Sequence, residues 1–305
     1  MSPDYIKARK SQYHFYRAVP LFTKIDGEKF VLYKPAGTIL GEMRLSDSKH
    51  PEDLFLKKDD KINGIKEAQK AFNRKLETDI KTGSPEKVKE TLVTIMDETL
   101  TEPRSGSLEG VSQTMDILAE YSTESDVINN LLAVSTKDYS TIMHSINIMA
   151  FSLSFGIYQG FSKPDLKDLG LAALLHDVGK TKINPEILTA ARRLTKEEFA
   201  EMQSHSIIGY NILKSCKFKC KEIRMGALDH HEKLDKSGYP NGKSNISEVS
   251  QILGIIDCYE ALTNDDRPYR NAMEPYEALQ LIKEDAMEGK FNKSIFEKFA
   301  HSLTR

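Results

Sequence analysis

Five of the eight histidines in this 305-residue chain, His144, His176, His205, His230 and His231, fall between residues 144 and 231. Each lies in or at the end of a segment with helical periodicity. Asp177 directly follows His176, and His231 directly follows His230. Neutral imidazole is the commonest protein ligand for ions such as Fe, Mn, Zn and Ni, and a carboxylate can bridge two ions. A His-Asp pair at the end of a Leu-rich helix, with a second His pair further on, is costly to bury without a metal. The pattern points to a metal site assembled from several packed helices. Lys180 adds a cation beside a site that would hold anionic oxygens. His14, His50 and His301 stand apart and read as core or surface histidines.

The elements that must position these groups can be read from spacing. Leu171-Ala172-Ala173-Leu174-Leu175 is an apolar helix running into His176-Asp177, and Gly179 is expected to end it in a left-handed conformation. The first 60 or so residues read as β-rich. Phe15 to Phe22 and Lys29 to Tyr33 are short aromatic and β-branched runs, with an Asp26-Gly27 turn between them. Pro35-Ala36-Gly37 marks another turn. From about Asn63 the period becomes helical, with Ile65, Ala68, Phe72, Leu76 and Ile80 on one face. Ser84 suits an N-cap and Pro85 a first helical position, and Pro103 to Ser107 is a break. Beyond residue 107 nearly everything is helical. The expected architecture is α+β overall. A small β-containing N-terminal domain spans 1–62, connecting helices span 63–122, and an all-α helical bundle spans 123–305.

Composition narrows the function. Lys+Arg number 43 and Asp+Glu 45, a net charge of −2, so there is no global electrostatic reason to bind nucleic acid. Phosphate recognition must be local. The most apolar run, Ile146 to Tyr158, is 13 residues long and is broken by Asn147, Ser152 and Ser154. A membrane span needs about 20. Cys216, Cys220 and Cys258 suit a reducing compartment, and a cytoplasmic location is expected. Cys216 and Cys220, four apart, read as unpaired thiols rather than a metal pair.

Several ordered motifs carry a resemblance. Asp138-Tyr139-Ser140-Thr141-Ile142-Met143-His144 opens the series, and Leu175-His176-Asp177-Val178-Gly179-Lys180 follows. Leu194-Thr195-Lys196-Glu197-Glu198-Phe199 leads to His205. Then come His230-His231-Glu232, Ser237-Gly238-Tyr239-Pro240, Asp257-Cys258-Tyr259-Glu260-Ala261-Leu262-Thr263 and Arg267-Pro268-Tyr269-Arg270. From about Lys137 to Phe299 the chain resembles the HD-GYP domain, a subgroup of the HD metal-dependent phosphohydrolase superfamily associated with cyclic di-GMP hydrolysis.

The resemblance implies an HD-type all-α bundle with two divalent metal ions, iron first and manganese as the other choice. His144, His176 and Asp257 would hold one ion, His205, His230 and His231 the other, and Asp177 would bridge them. Lys180 would contact the scissile phosphate. Gly238, Tyr239 and Pro240, with Arg267 and Arg270, would lie near a cyclic dinucleotide. The implied activity is a phosphodiesterase opening cyclic di-GMP to linear pGpG, with GMP as a further product. Two other readings stand beside it. One is a metal-bearing binding module for a cyclic nucleotide or a GGDEF-type cyclase partner. The other is a phosphohydrolase for a different cyclic dinucleotide. The chain departs from the family pattern at several places. Ser140 replaces a Glu found in some members, and Ala190-Ala191-Arg192 replaces Lys-Pro-Gly. Asp235-Lys236 stands for Asp-Gly, Glu260 for Asp, and Asn292 for the Asp of Phe-Asp-Pro. None of these removes an inferred metal ligand.

Overall fold

The structure, a computed structural model, describes residues 4–25, 29–41, 50–101, 108–122, 127–133, 140–216, 220–264 and 272–304. The expected turn at Asp26-Gly27, the break at Pro103 to Ser107, and Arg267 and Arg270 lie outside them.

Near the N-terminus, strands β1 (Tyr5–Lys7), β2 (Leu21–Ile25), β3 (Lys29–Lys34) and β4 (Phe55–Lys57) form an antiparallel sheet in the order β1-β4-β2-β3. The apolar run at Phe15 is strand only from Leu21 onward. The reason is a side chain. The Glu67 carboxylate accepts the backbone N–H groups of Arg17, Ala18 and Val19, at 3.1, 2.8 and 3.3 Å. Those donors are satisfied without a ladder partner, so the chain turns there. β1 and β4 are too short for alternation to reveal them. Tyr13, Tyr16, Val19, Leu21, Leu54 and Leu56 make a small core of their own.

Helix α1 (Lys61–Thr82) begins two residues before the expected start and ends at Gly83, whose φ of 70° is left-handed. Helix α2 (Pro85–Thr101) begins as read from Ser84-Pro85, with the Ser84 carbonyl taking the Val88 N–H at 3.1 Å. Glu98 of α2 receives hydrogen bonds from Arg9 and Gln12, which ties the sheet to this helix. Helices α3 (Leu108–Tyr121) and α4 (Val127–Ala133) follow. Buried residues of α1 to α4 belong to the same hydrophobic core as the helices beyond residue 140.

That second set begins with α5 (Thr141–Tyr158), capped by the Ser140 hydroxyl, and α6 (Lys163–Leu175), capped by Ser162. α5 is apolar on nearly every face, α6 is buried all round from Leu169 to Leu175, and the two form the centre of the bundle. After α6 comes a 3₁₀ segment, Val178–Lys182. Around it pack α7 (Pro185–Leu188), α8 (Lys196–Gln203), α9 (His205–Ser215), α10 (Lys221–Asp229), α11 (Glu248–Thr263), α12 (Pro275–Met287) and α13 (Lys293–Ser302). The protein is therefore a helical bundle with a small antiparallel sheet, as the sequence reading expects. Among the described residues no helix is long and apolar enough to cross a membrane.

Gly179 corrects one expectation. It lies inside the 3₁₀ segment and is not among the left-handed glycines. A Cβ there would lie 1.9 Å from the His205 carbonyl oxygen and 2.6 Å from the Gly209 nitrogen. Its role is close approach, letting the His176-Asp177 turn sit directly on α9.

Candidate metal centre

Each candidate ligand sits where a helix starts, ends or crosses. His144 lies in the first turns of α5, His176 caps the C-terminus of α6, and His205 opens α9. His230 caps α10 and His231 follows it. Asp257 lies on α11. The fold brings all of these side chains together with Asp177. Ligating atoms of His144, His176 and Asp177 lie within 4.8 Å of one another, and so do those of His205, His230 and His231. Asp177 stands between the two groups. One of its oxygens is 3.3 Å from His176 Nε2 and 3.6 Å from His144 Nε2. The other is 3.3 Å from His205 Nε2 and 3.9 Å from His230 Nε2. Asp257 spans similarly, 3.1 Å from His144 Nε2 and 3.7 Å from His231 Nδ1.

The imidazoles are oriented from behind. Nδ1 of His176 donates to the Ala173 carbonyl at 2.6 Å, Nδ1 of His205 to Met202 at 2.6 Å, and Nδ1 of His230 to Gly226 at 3.0 Å. With Nδ1 protonated by that bond, the Nε2 lone pair faces the centre, the tautomer a metal needs. His144 is pinned by a side chain instead, Glu260 Oε2 at 2.6 Å. Asn147 and Asn264 donate to the other Glu260 oxygen at 2.9 and 2.7 Å. The sequence reading noted Glu260 only as a departure and did not assign it this role. The available signal was spacing: Glu260 lies one helical turn from Asp257, and Asn147 one turn from His144.

The electrostatics suit ligands. Burial alone would raise Asp177, but His176 and Lys180 hold its carboxyl well below the usual range. Burial likewise opposes ionisation of Asp257, and His144 overrides it. Burial pushes His205 and His230 down, and His231 down to about 3, so these rings stay neutral. Burial would also lower His144, but its bonds to Asp257 and Glu260 raise it to about 9. His176 Nε2 and Asp177 Oδ1 are buried and engage no hydrogen-bond partner among the described residues. Two such orphaned atoms, one in each half of the cluster and each among pinned imidazoles, fit divalent cations. The thiols are elsewhere: Cys220 donates to Asp168 at 3.2 Å, and burial pushes its thiol up to about 11.

Above the centre opens a cleft of about 350 Å³, lined by His144, Lys180, Arg192, His205, His231, Tyr239 and Asp257 among others. Lys180 Nζ is 2.5 Å from Asp177 Oδ2 and reaches the cleft. Tyr239 stacks over His231 with ring centres 4.6 Å apart. Burial raises its phenol above the ordinary value, so it is a wall and a hydrogen-bond donor rather than a base. Gly238 contributes through backbone: a Cβ there would lie 2.4 Å from the His231 carbonyl. Pro240 is not among the lining residues. Glu232 fixes the loop by accepting the N–H groups of Asn241 and Lys243 at 2.7 and 3.0 Å. Ser140, replacing a Glu of some family members, is an N-cap, accepting the Met143 N–H. Lys236, replacing glycine, adopts a φ of 69°, the left-handed region glycine favours.

Residues 122–295 match the HD domain family. The chain belongs to it. The HD domain is a metal-dependent phosphohydrolase family, and the two side-chain clusters could hold its metals. A cyclic di-GMP phosphodiesterase of Pseudomonas aeruginosa is 30% identical over 190 residues, which is 62% of this chain and 45% of that protein. A 3'3'-cGAMP-specific phosphodiesterase of Vibrio cholerae is 31% identical over 166 residues, covering 54% of this chain and 38% of that one. The chain thus spans less than half the length of these curated relatives. An HDG"Y"P protein from Bdellovibrio bacteriovorus superposes with a TM-score of 0.66 at 16% identity, covering 99% of this chain and 100% of that chain. The two chains share this fold over nearly their whole length.

Proposed function

We propose that this HD domain is a phosphodiesterase that opens cyclic di-GMP to linear pGpG, with GMP as a further product. The observation that carries the reading is the convergence of seven side chains, His144, His176, Asp177, His205, His230, His231 and Asp257, on the floor of a cleft that also holds Lys180. The relatives named for cyclic dinucleotides support the substrate class. In this reading His144, His176 and Asp257 hold one ion, His205, His230 and His231 hold the other, and Asp177 bridges. A donor set of imidazole and carboxylate without thiolate suits iron, with manganese as the alternative. Such a pair of ions, when bound, supplies an activated water as nucleophile and polarises the phosphodiester.

The chain's own groups do the rest. Lys180 offers an ammonium to the phosphodiester oxygen on which charge accumulates. Tyr239 closes one side of the cleft over His231 and excludes water. Arg267 and Arg270, which follow α11 in the sequence, complete the phosphate contacts in this proposal. The free cysteines fit a reducing, cytoplasmic setting. The separate small core near the N-terminus supports a distinct domain at 1–62, joined by connecting helices at 63–122 to the HD domain at 123–305.

The test is a turnover assay on anaerobically purified, metal-analysed protein with cyclic di-GMP, 3'3'-cGAMP and cyclic di-AMP, products separated by chromatography. Release of pGpG that disappears on chelation is the expected result. Full metal content with no cleavage of any of the three would refute hydrolysis and favour the binding-module reading.

A further inference from the structure

The cleft contains a cation that neither the metal centre nor the scissile phosphate uses. Arg192 lies in the loop between α7 and α8, where the family pattern has glycine, and it lines the cleft. It is held in place. Nη1 and Nη2 donate end-on to the two carboxylate oxygens of Glu198, at 2.7 and 2.6 Å. Glu198 is fixed in turn by the N-cap of α8, where its carboxylate accepts the Thr195 N–H at 2.8 Å. Nη1 also donates to the Arg193 carbonyl at 3.3 Å. One edge of the guanidinium is thus consumed. The adjoining edge carries Nε–H and the second Nη2–H, and neither has an acceptor among the described residues. The next residue, Phe199, is 49% exposed, and its ring lies 6.4 Å from that of Tyr239 at the cleft wall.

We propose that Arg192 is a specificity-determining residue that reads a guanine of the substrate. This inference rests on the cyclic-dinucleotide reading above. Two parallel N–H donors on a planar fork match the two acceptors, O6 and N7, that guanine presents on one edge. Adenine presents one acceptor and an amino donor on that edge, so an N–H would face an N–H. The exposed face of Phe199 offers a platform on which the purine stacks. The carboxylate of Glu198 keeps the fork rigid, so little side-chain freedom is lost when the base arrives.

The test compares the metal-loaded wild-type chain with Arg192→Gln and Arg192→Lys, each checked for melting temperature and metal content. The readouts are kcat/KM for cyclic di-GMP and, for cyclic di-AMP, turnover or competitive inhibition. A good bidentate pair implies that both variants lose roughly five- to a hundredfold in kcat/KM on cyclic di-GMP. The preference for guanine over adenine should fall by a similar factor, furthest in Arg192→Gln, because Gln matches the adenine edge. Retention of activity and guanine preference by Arg192→Gln, which lacks the paired donors and the charge, would overturn base reading. An equal loss on both dinucleotides, or no loss, would overturn it too while leaving the functional reading intact. Failure of the wild type to cleave any cyclic dinucleotide would bring down the functional reading, and this inference with it.

Discussion

Replacing Glu260 with alanine tests how the metal centre is held. The carboxylate is 2% exposed and accepts from His144 Nδ1, Asn147 and Asn264 at 2.6, 2.9 and 2.7 Å. Burial would raise its carboxyl, but the His144 bond, aided by the two asparagines, keeps it below the ordinary value. Glu260→Ala removes an acceptor from three donors. At about 1–3 kcal/mol for each stranded group, less what is recovered by no longer desolvating a carboxylate, the loss is roughly 2–5 kcal/mol. The second effect is on the metal. His144 loses the partner that fixes its ring and keeps Nε2 directed at Asp177 and Asp257. Outer partners of this kind are worth about 10- to 100-fold in metal affinity. The assay is competition for Mn²⁺ against a fluorescent chelator, read beside thermal unfolding of the chelated protein. The expected result is a weaker apparent metal affinity in Glu260→Ala and a smaller change in Glu260→Gln, which retains one acceptor. A lower melting temperature with unchanged metal affinity would refute the positioning argument, because it would make Glu260 a purely structural group.

Asp177→Ala should lower metal content and melting temperature together, since it removes the buried carboxylate whose two oxygens lie between His144 and His176 on one side and His205 and His230 on the other; full occupancy by elemental analysis would contradict a bridging role. Lys180→Ala should keep the metals and cut kcat/KM on cyclic di-GMP by about a hundredfold or more, a donor worth roughly 2.7–4 kcal/mol at the developing charge, and an unchanged value at matched metal content would take Lys180 out of the site. Lys236→Gly should raise stability by about 0.5–1 kcal/mol, because a left-handed non-glycine residue costs about 1–2 kcal/mol and part of that gain is offset by the freer unfolded chain; chemical denaturation midpoints decide it, and a drop would show that the Lys236 side chain matters more than its backbone. Gly179→Ala should destabilise by about 3 kcal/mol or more, since its Cβ would lie 1.9 Å from a backbone oxygen that has no room to move; a variant as stable as wild type would falsify the close-approach reading.

The histidines and Asp177 were legible as candidate ligands because that reading is carried by residue type, whereas Asp257 came only with the resemblance. Few other arrangements explain a His-Asp pair, a His-His pair and two further histidines at helix ends, and the fold brings all of them to one point. The bundle was legible for a related reason: α5 and the second half of α6 are apolar nearly all round, and only a buried position satisfies that. What the sequence concealed depends on direction. Glu260 looks like one more acid on a helix until α11 is seen crossing α5 and aiming it at His144. Gly179 has the spacing of a helix terminator, and only the nearness of α9 shows that it is a contact point. The strand misplaced at Phe15 was lost to Glu67, a residue about 50 positions away, whose carboxylate satisfies three backbone donors. Local propensity carries no trace of that. Arg192 would pass for a solvated loop residue, since its relation to the cleft is set by the cap of the following helix.

Charge shows why the site has to be read locally. The chain's net charge of −2 gives a cyclic dinucleotide, itself an anion, no reason to approach. The cleft floor is less welcoming still without metals, because Asp177, Asp257 and Glu260 are held ionised there, with Lys180 and the raised His144 in direct contact as their counter-charges. Two divalent ions held by Asp177, Asp257 and the histidines would reverse that balance: they would offset the carboxylates and leave Lys180 as a cation beside the space the proposed phosphodiester would fill. The same carboxylates that repel the substrate from the unloaded cleft are what concentrate the ions that attract it. In the proposed reading metal binding and substrate binding are coupled through these few charges, and the burial of Asp177 and His144 strengthens that coupling by lowering the local dielectric.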